Sequence, residues 1–150
     1  MFDVFVIGHF TRDLIAIEGA GRREQPGGAA YYAAMALAGL GLDVAVLTKV
    51  AADDDALVLG GLEAGGVTVV RGRAPVTTRF ENIYAGPDLE RRTQRVTSIA
   101  PPFTAPDLGD IEARLFCLGP LSGADMALPF IAAVAARGGR VALDVQGLVR

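Results

Sequence analysis

The sequence predicts an α/β fold, a parallel sheet covered by helices, and three observations carry that expectation. Short apolar, β-branched runs alternate with Ala-, Leu- and Met-rich segments that end at glycine. Between residues 76 and 99 the texture changes to polar–apolar alternation, the pattern of strands with one wet face. Hydrophobic residues make up 51% of the 150 and charged residues 21%, enough apolar side chain for one packed core and too little charge for disorder.

Residues 2–7 (FDVFVI) form the first buried strand, ended by Gly8, and residues 14–17 a second extended stretch. Residues 19–25 are polar and contain glycine, so they read as a loop. Pro26-Gly27-Gly28 then opens a helix over residues 29–40, stopped by Gly39 and Gly41. A strand follows at 43–50. A helix at 53–64 begins with three acidic residues that suit the positive end of its dipole. Residues 67–70 are a third buried strand. Residues 76–84 and 91–99 make a hairpin around a turn at 85–88. Pro101, Pro102 and Pro106 mark a linker, 114–118 a strand, 123–137 a helix and 140–145 a last strand. A sheet that stops there leaves an apolar edge unpaired, so the chain is expected to be part of a larger unit or to need a partner.

Charge and cysteine content narrow the function. The formal net charge is -3 and the densest basic spots are the pairs Arg22-Arg23 and Arg91-Arg92, so no phosphate-tracking surface is expected and nucleic acid is not a predicted partner. Cys117 is the single cysteine, so no internal disulfide forms, and a cytoplasmic location is expected. No apolar run reaches the ~20 residues of a membrane span. His9 is the one histidine and has no second ligand beside it, so no metal site is assigned. No phosphate-binding Gly-x-x-x-x-Gly-Lys-Ser/Thr loop is present. The glycine fingerprint of dinucleotide-binding oxidoreductases is absent as well.

Three segments share a further pattern. Gly8-His9-Phe10-Thr11-Arg12-Asp13 follows the first strand. Gly27-Gly28 opens an Ala-rich helix that ends in Leu40-Gly41. Residues 47–54 (LTKVAADD) run from the end of the next strand into the helix after it, and the tail at 143–150 (LDVQGLVR) fits beside them. Together they resemble the N-terminal portion of the ribokinase-like (PfkB) carbohydrate and nucleoside kinase family. The resemblance implies a three-layer α/β/α sheet with a small β lid, the lid lying at about 14–18 and 74–100, with the C-terminal part of the fold missing from 1–150.

The resemblance also implies roles. Asp13 binds substrate hydroxyls, and a carboxylate accepting from a vicinal diol makes strong charge-assisted bonds. Gly27 and Gly28 let the backbone approach the substrate and present free helix N–H groups. Tyr32 stands where the family often has Asn; a phenol stacks on a ring or donates one hydrogen bond, but does not copy an amide. Aligned from Thr78, Glu81 points at the substrate and Asn82 away, and a slip of one residue exchanges the two. A lid of this kind excludes water.

The family's catalytic Gly-Ala-Gly-Asp helix start is absent, and no catalytic residue is assigned. Ser122-Gly123-Ala124-Asp125 lacks the second glycine, and Asp125 reads as a first-turn helix residue. ATP and Mg2+ are the expected cofactors, bound mainly through the missing C-terminal half. The expected function is the substrate-binding half of an ATP-dependent kinase acting on a hydroxyl of a sugar, an inositol-like polyol or a nucleoside. The alternative is a non-catalytic binding or dimerisation module of the same fold. A homodimer through the lid suits either.

Overall fold

The computed structural model describes residues 1–85 and 91–149. Most of the turn expected at 85–88 lies outside the described residues, as does Arg150. The chain runs through β1 (Phe2–Ile7), β2 (Thr11–Ile17), β3 (Gly21–Gly27), α1 (Ala29–Gly39), β4 (Val44–Val50), α2 (Asp55–Ala64) and β5 (Thr68–Arg73). It continues through β6 (Thr78–Tyr84), β7 (Arg92–Ser98), β8 (Ala113–Leu118), α3 (Leu128–Ala135) and β9 (Arg140–Leu143).

Five parallel strands form the main sheet in the order β5-β4-β1-β8-β9. β1 is central, and its alternation divides the core. Val4 and Val6 pack with Ala30 and Ala34 of α1 and Val58, Leu59 and Leu62 of α2. Phe5 and Ile7 pack on the other face with Phe116, Phe130 and Val134. Strands buried on both faces need apolar residues at consecutive positions, which is why these runs read so clearly in the sequence. No helix among the described residues is long and apolar enough to cross a membrane, which leaves β-barrel crossing unaddressed.

A second, four-stranded sheet in the order β3-β2-β6-β7 takes in the residues where a lid was expected, with β3 added, and is called the lid sheet or lid below. β2 and β6 pair in parallel, while β3 and β7 run antiparallel to their neighbours. The lid is tied to the main sheet at its base. The Ala51 N–H donates to Thr77 Oγ1 at 2.9 Å and Ala100 N–H to Thr78 Oγ1 at 3.0 Å. Asp54, 1% exposed, accepts from Arg12 Nη1 at 2.6 Å and from Arg79 Nη2 at 3.2 Å.

Three local expectations change. Residues 19–25, expected as a loop, are mostly strand β3, an exposed edge whose charged Arg22, Arg23 and Glu24 hide its strand character. The helix expected over 123–137 is confined to Leu128–Ala135, with Pro129 in its first turn. Asp125 is therefore no helix-start residue. It is 3% exposed, and its carboxylate accepts from Leu121 N–H at 2.8 Å, Ser122 N–H at 3.3 Å and Ser122 Oγ at 2.7 Å. It closes the loop after β8 from within.

Candidate substrate-binding site

β2 leaves the end of β1 and turns back beside β3, with Thr11 opposite Gly27 and Asp13 opposite Gln25. A Cβ on Gly27 would lie 2.5 Å from Asp13 Oδ2 and 2.7 Å from Thr11 Oγ1. Only hydrogen fits there. Gly28 has φ 100°, a conformation that L side chains rarely adopt, and a Cβ on it would stand 2.7 Å from the His9 carbonyl oxygen. Gly28 ends β3's approach and is the cap position of α1, which has no side-chain cap. The double glycine thus lets an acidic side chain and a helix mouth meet.

They meet at a cleft of about 220 Å³. Thr11, Asp13, Gly28 and Ala29 form its floor, and Tyr32 stands on the α1 side. Phe80 and Gln94 come down from the lid, and Gln146 closes the side toward β9. Asp13 Oδ1 and Thr11 Oγ1 are buried with no hydrogen-bond partner among the described residues. Buried polar atoms are seldom left so, and two beside one another in a cleft are suited to a ligand that donates. Burial pushes the Asp13 carboxyl up from its ordinary value. The Thr11 hydroxyl, close but poorly aligned for a bond, and the Arg92 charge oppose that shift.

Asp13, Gly27, Gly28 and Tyr32 thus gather at one place, as the sequence led us to expect. Tyr32 is a rim residue, 54% exposed, with its hydroxyl 3.5 Å from the Pro26 carbonyl. Glu81 does not join them. The pairing register sets Asp13 beside Phe80, and Leu14 beside Glu81, whose other neighbour is Arg95. Since side chains alternate, Glu81 lies on the opposite face, with Arg12, and Asn82 shares Asp13's face. The expected assignment of those two residues is reversed. Asn82 is 3% exposed and its Oδ1 accepts from Gln94 Nε2 at 2.8 Å, which turns the other end of the Gln94 amide outward.

Phe80 and Gln94 were not singled out from the sequence, whereas Gln146 belongs to the 143–150 tail that carried part of the resemblance. The period-two pattern of residues 91–99 contained the signal for Gln94, but not which of its faces turned inward. The described residues assign no site to ATP or Mg2+. No group of three His, Cys, Asp or Glu side chains among the described residues could hold a metal ion. The single lysine, Lys49, is 7% exposed and committed to Asp107 at 2.8 Å and the Pro102 carbonyl at 2.8 Å.

Comparison with known structures decides the fold. A pyrophosphate-dependent kinase in the ribokinase family, solved as a sulfate complex, matches 96% of this chain at 31% identity and a TM-score of 0.83. The chain is ribokinase-like. It corresponds to the N-terminal portion of such kinases. A pyrophosphate-dependent kinase of the same family, complexed with a pyrophosphate analog and myo-inositol, matches 98% of the ribokinase-like chain at 30% identity and a TM-score of 0.83. A fructokinase from Halothermothrix orenii matches 95% at 19% identity and a TM-score of 0.72, a likeness of fold alone. The ribokinase-like chain spans about half the length of the solved structures it matches, 50% of the first two and 56% of the fructokinase. No family model and no curated protein matches the sequence.

Proposed function

We propose that this chain is the acceptor-binding part of a kinase that phosphorylates a hydroxyl of a sugar, an inositol-like polyol or a nucleoside. The observation that carries the reading is the unpartnered, buried Oδ1 of Asp13, whose Oδ2 lies against Gly27 at the mouth of α1. An ionised Asp13 accepts a hydrogen bond from one ring hydroxyl, and Thr11 and the outward end of Gln94 are placed for its neighbours. Phe80 covers the ring from the lid, which keeps water from the reacting oxygen.

ATP with Mg2+ is the donor proposed, held mainly outside this chain and supplying the phosphoryl group. Pyrophosphate is the second candidate, favoured by the two kinases at 30% and 31% identity. The test is phosphoryl transfer by the full-length protein from each donor to a panel of sugars, inositols and nucleosides. Asp13→Ala is expected to lower kcat/KM roughly 10- to 100-fold for the best acceptor, the size of a lost charge-assisted bond. An unchanged kcat/KM would overturn the assignment.

A second reading is a non-catalytic binding or dimerisation module. It draws on the lid's outer strands, β3 and β7, of which β7 is exposed along most of its length. A partner's lid could pair there. Sedimentation of the chain as a discrete folded dimer, together with no phosphoryl transfer by the full-length protein, would favour this reading.

A further inference from the structure

Tyr32 stands on the rim of the acceptor cleft, more than half exposed. Exposed side chains change rotamer freely, but this one is braced. Its ring meets Tyr31 edge to face, with centroids 5.4 Å apart at 87°. Tyr31 in turn meets Phe10, which is fully buried, at 5.5 Å and 90°. The three rings form a ladder from the core to the mouth of the cleft. The backbone is tied to the same place, since the Tyr32 N–H donates to the Gly28 carbonyl at 3.3 Å. The hydroxyl turns to the Pro26 carbonyl at 3.5 Å, so the ring is what Tyr32 offers a ligand. Phe80 offers a second ring from the lid, and Asp13, Thr11, Gln94 and Gln146 supply polar groups around them. Two aromatic rings and a polar surround suit a guest that is apolar on its faces and polar along its edge.

We propose that Tyr32 is a specificity-determining residue: with Phe80 it stacks on the faces of a six-membered polyol ring and selects rings whose hydroxyls are equatorial. The inference rests on the acceptor-site reading above and narrows it. The face of an aromatic ring carries the negative part of its quadrupole and attracts the weakly positive hydrogens of C–H bonds. An equatorial hydroxyl leaves an axial C–H on the ring face and points its own oxygen outward, toward Asp13 and the amides. An axial hydroxyl sets an oxygen against the aromatic face and gives up its water there for no partner.

The test is calorimetric titration of the full-length protein with stereoisomers of equal composition: scyllo- and myo-inositol against allo- and muco-inositol, and glucose against altrose. The first members of each set have hydroxyls that are all or nearly all equatorial; the second carry axial hydroxyls on both faces. In whichever set binds, the equatorial ring is expected to bind roughly tenfold or more tightly. Tyr32→Phe keeps the aromatic ring and should keep that ratio. Tyr32→Asn exchanges the ring for an amide and should cut the ratio by about threefold or more, with far-UV circular dichroism unchanged. Asp13→Asn should weaken every member of a set together and leave the ratio intact. An equal or inverted preference, a ratio indifferent to Tyr32→Asn, or one lost in Tyr32→Phe overturns this inference and spares the reading of Asp13. Binding confined to furanoses or nucleosides added to the same titrations does so as well. A panel in which nothing binds overturns both.

Discussion

Arg12 and Asp13 are neighbours in sequence and face opposite ways: Arg12 donates to buried Asp54 at 2.6 Å behind the lid, while Asp13 looks into the cleft. The strand that carries Asp13 is thereby fixed to the entrance of α2. Burial drives the Asp54 carboxyl up, but hydrogen bonds from Thr77, Arg12 and Arg79 overcome it and hold the group below the usual carboxylate range. Asp54→Ala leaves three donors without their acceptor. It is expected to destabilise the fold by roughly 2 kcal/mol in urea denaturation and to raise the acceptor KM more than it lowers kcat.

Asp13 should show the reverse trade. Its carboxyl is raised by burial, so near and just above its ordinary pKa the folded state holds the proton more tightly than the unfolded chain. Stability contributed by this group is present at low pH and falls as pH rises through the raised value. Acceptor binding, which needs the carboxylate, strengthens over the same interval. Asp13→Asn is expected to raise Tm by roughly 1–3 °C, to weaken acceptor binding, and to abolish this part of its pH dependence. Calorimetry at stepped pH checks all three.

Gly27→Ala places a methyl 2.5 Å from Asp13 Oδ2 and must push that side chain off the floor of the cleft. Acceptor affinity should fall at least tenfold while the far-UV circular dichroism stays unchanged. Gly28→Ala adds backbone strain at φ 100° and should also lower stability by about 1–2 kcal/mol.

His9 reports on the core below the site. It is fully buried and stacked on Phe103 with ring centroids 4.4 Å apart. Burial lowers its pKa to about 4, Asp125 and Asp107 pulling it up and Lys49 pushing it further down; the Pro101 carbonyl opposes the shift without a well-formed bond. The unfolded chain therefore binds a proton that the folded chain refuses between about pH 4 and the ordinary histidine value of 6.5. Stability contributed by neutral His9 is complete above that window and is lost as pH falls through it. His9→Phe should flatten the stability–pH curve across the same interval, measured by urea midpoints.

The parallel core was legible because its strands are apolar at consecutive positions, while Asp13 and Gly27-Gly28 came forward only through the family resemblance of the segments that hold them. β3 was not, since an edge strand carrying Arg22, Arg23 and Glu24 has no apolar period to betray it. Glu81 was set on the wrong face because alternation gives two answers and only the pairing of Asp13 with Phe80 chooses between them. The loop held by Asp125 looked helical because its closure depends on bonds from the side chain back to the backbone, which composition does not reveal.

The parallel pairing of β2 with β6 has a consequence for how the molecule comes into being. Those strands bracket α1, β4, α2 and β5, so the seam between them cannot close until the chain has travelled through both crossover units. That separation predicts a cover over the cleft that assembles late in folding, from pieces laid down on either side of the core. Its loosening in the native protein would retrace that last step, parting β2 from β6 while the sheet beneath stays whole.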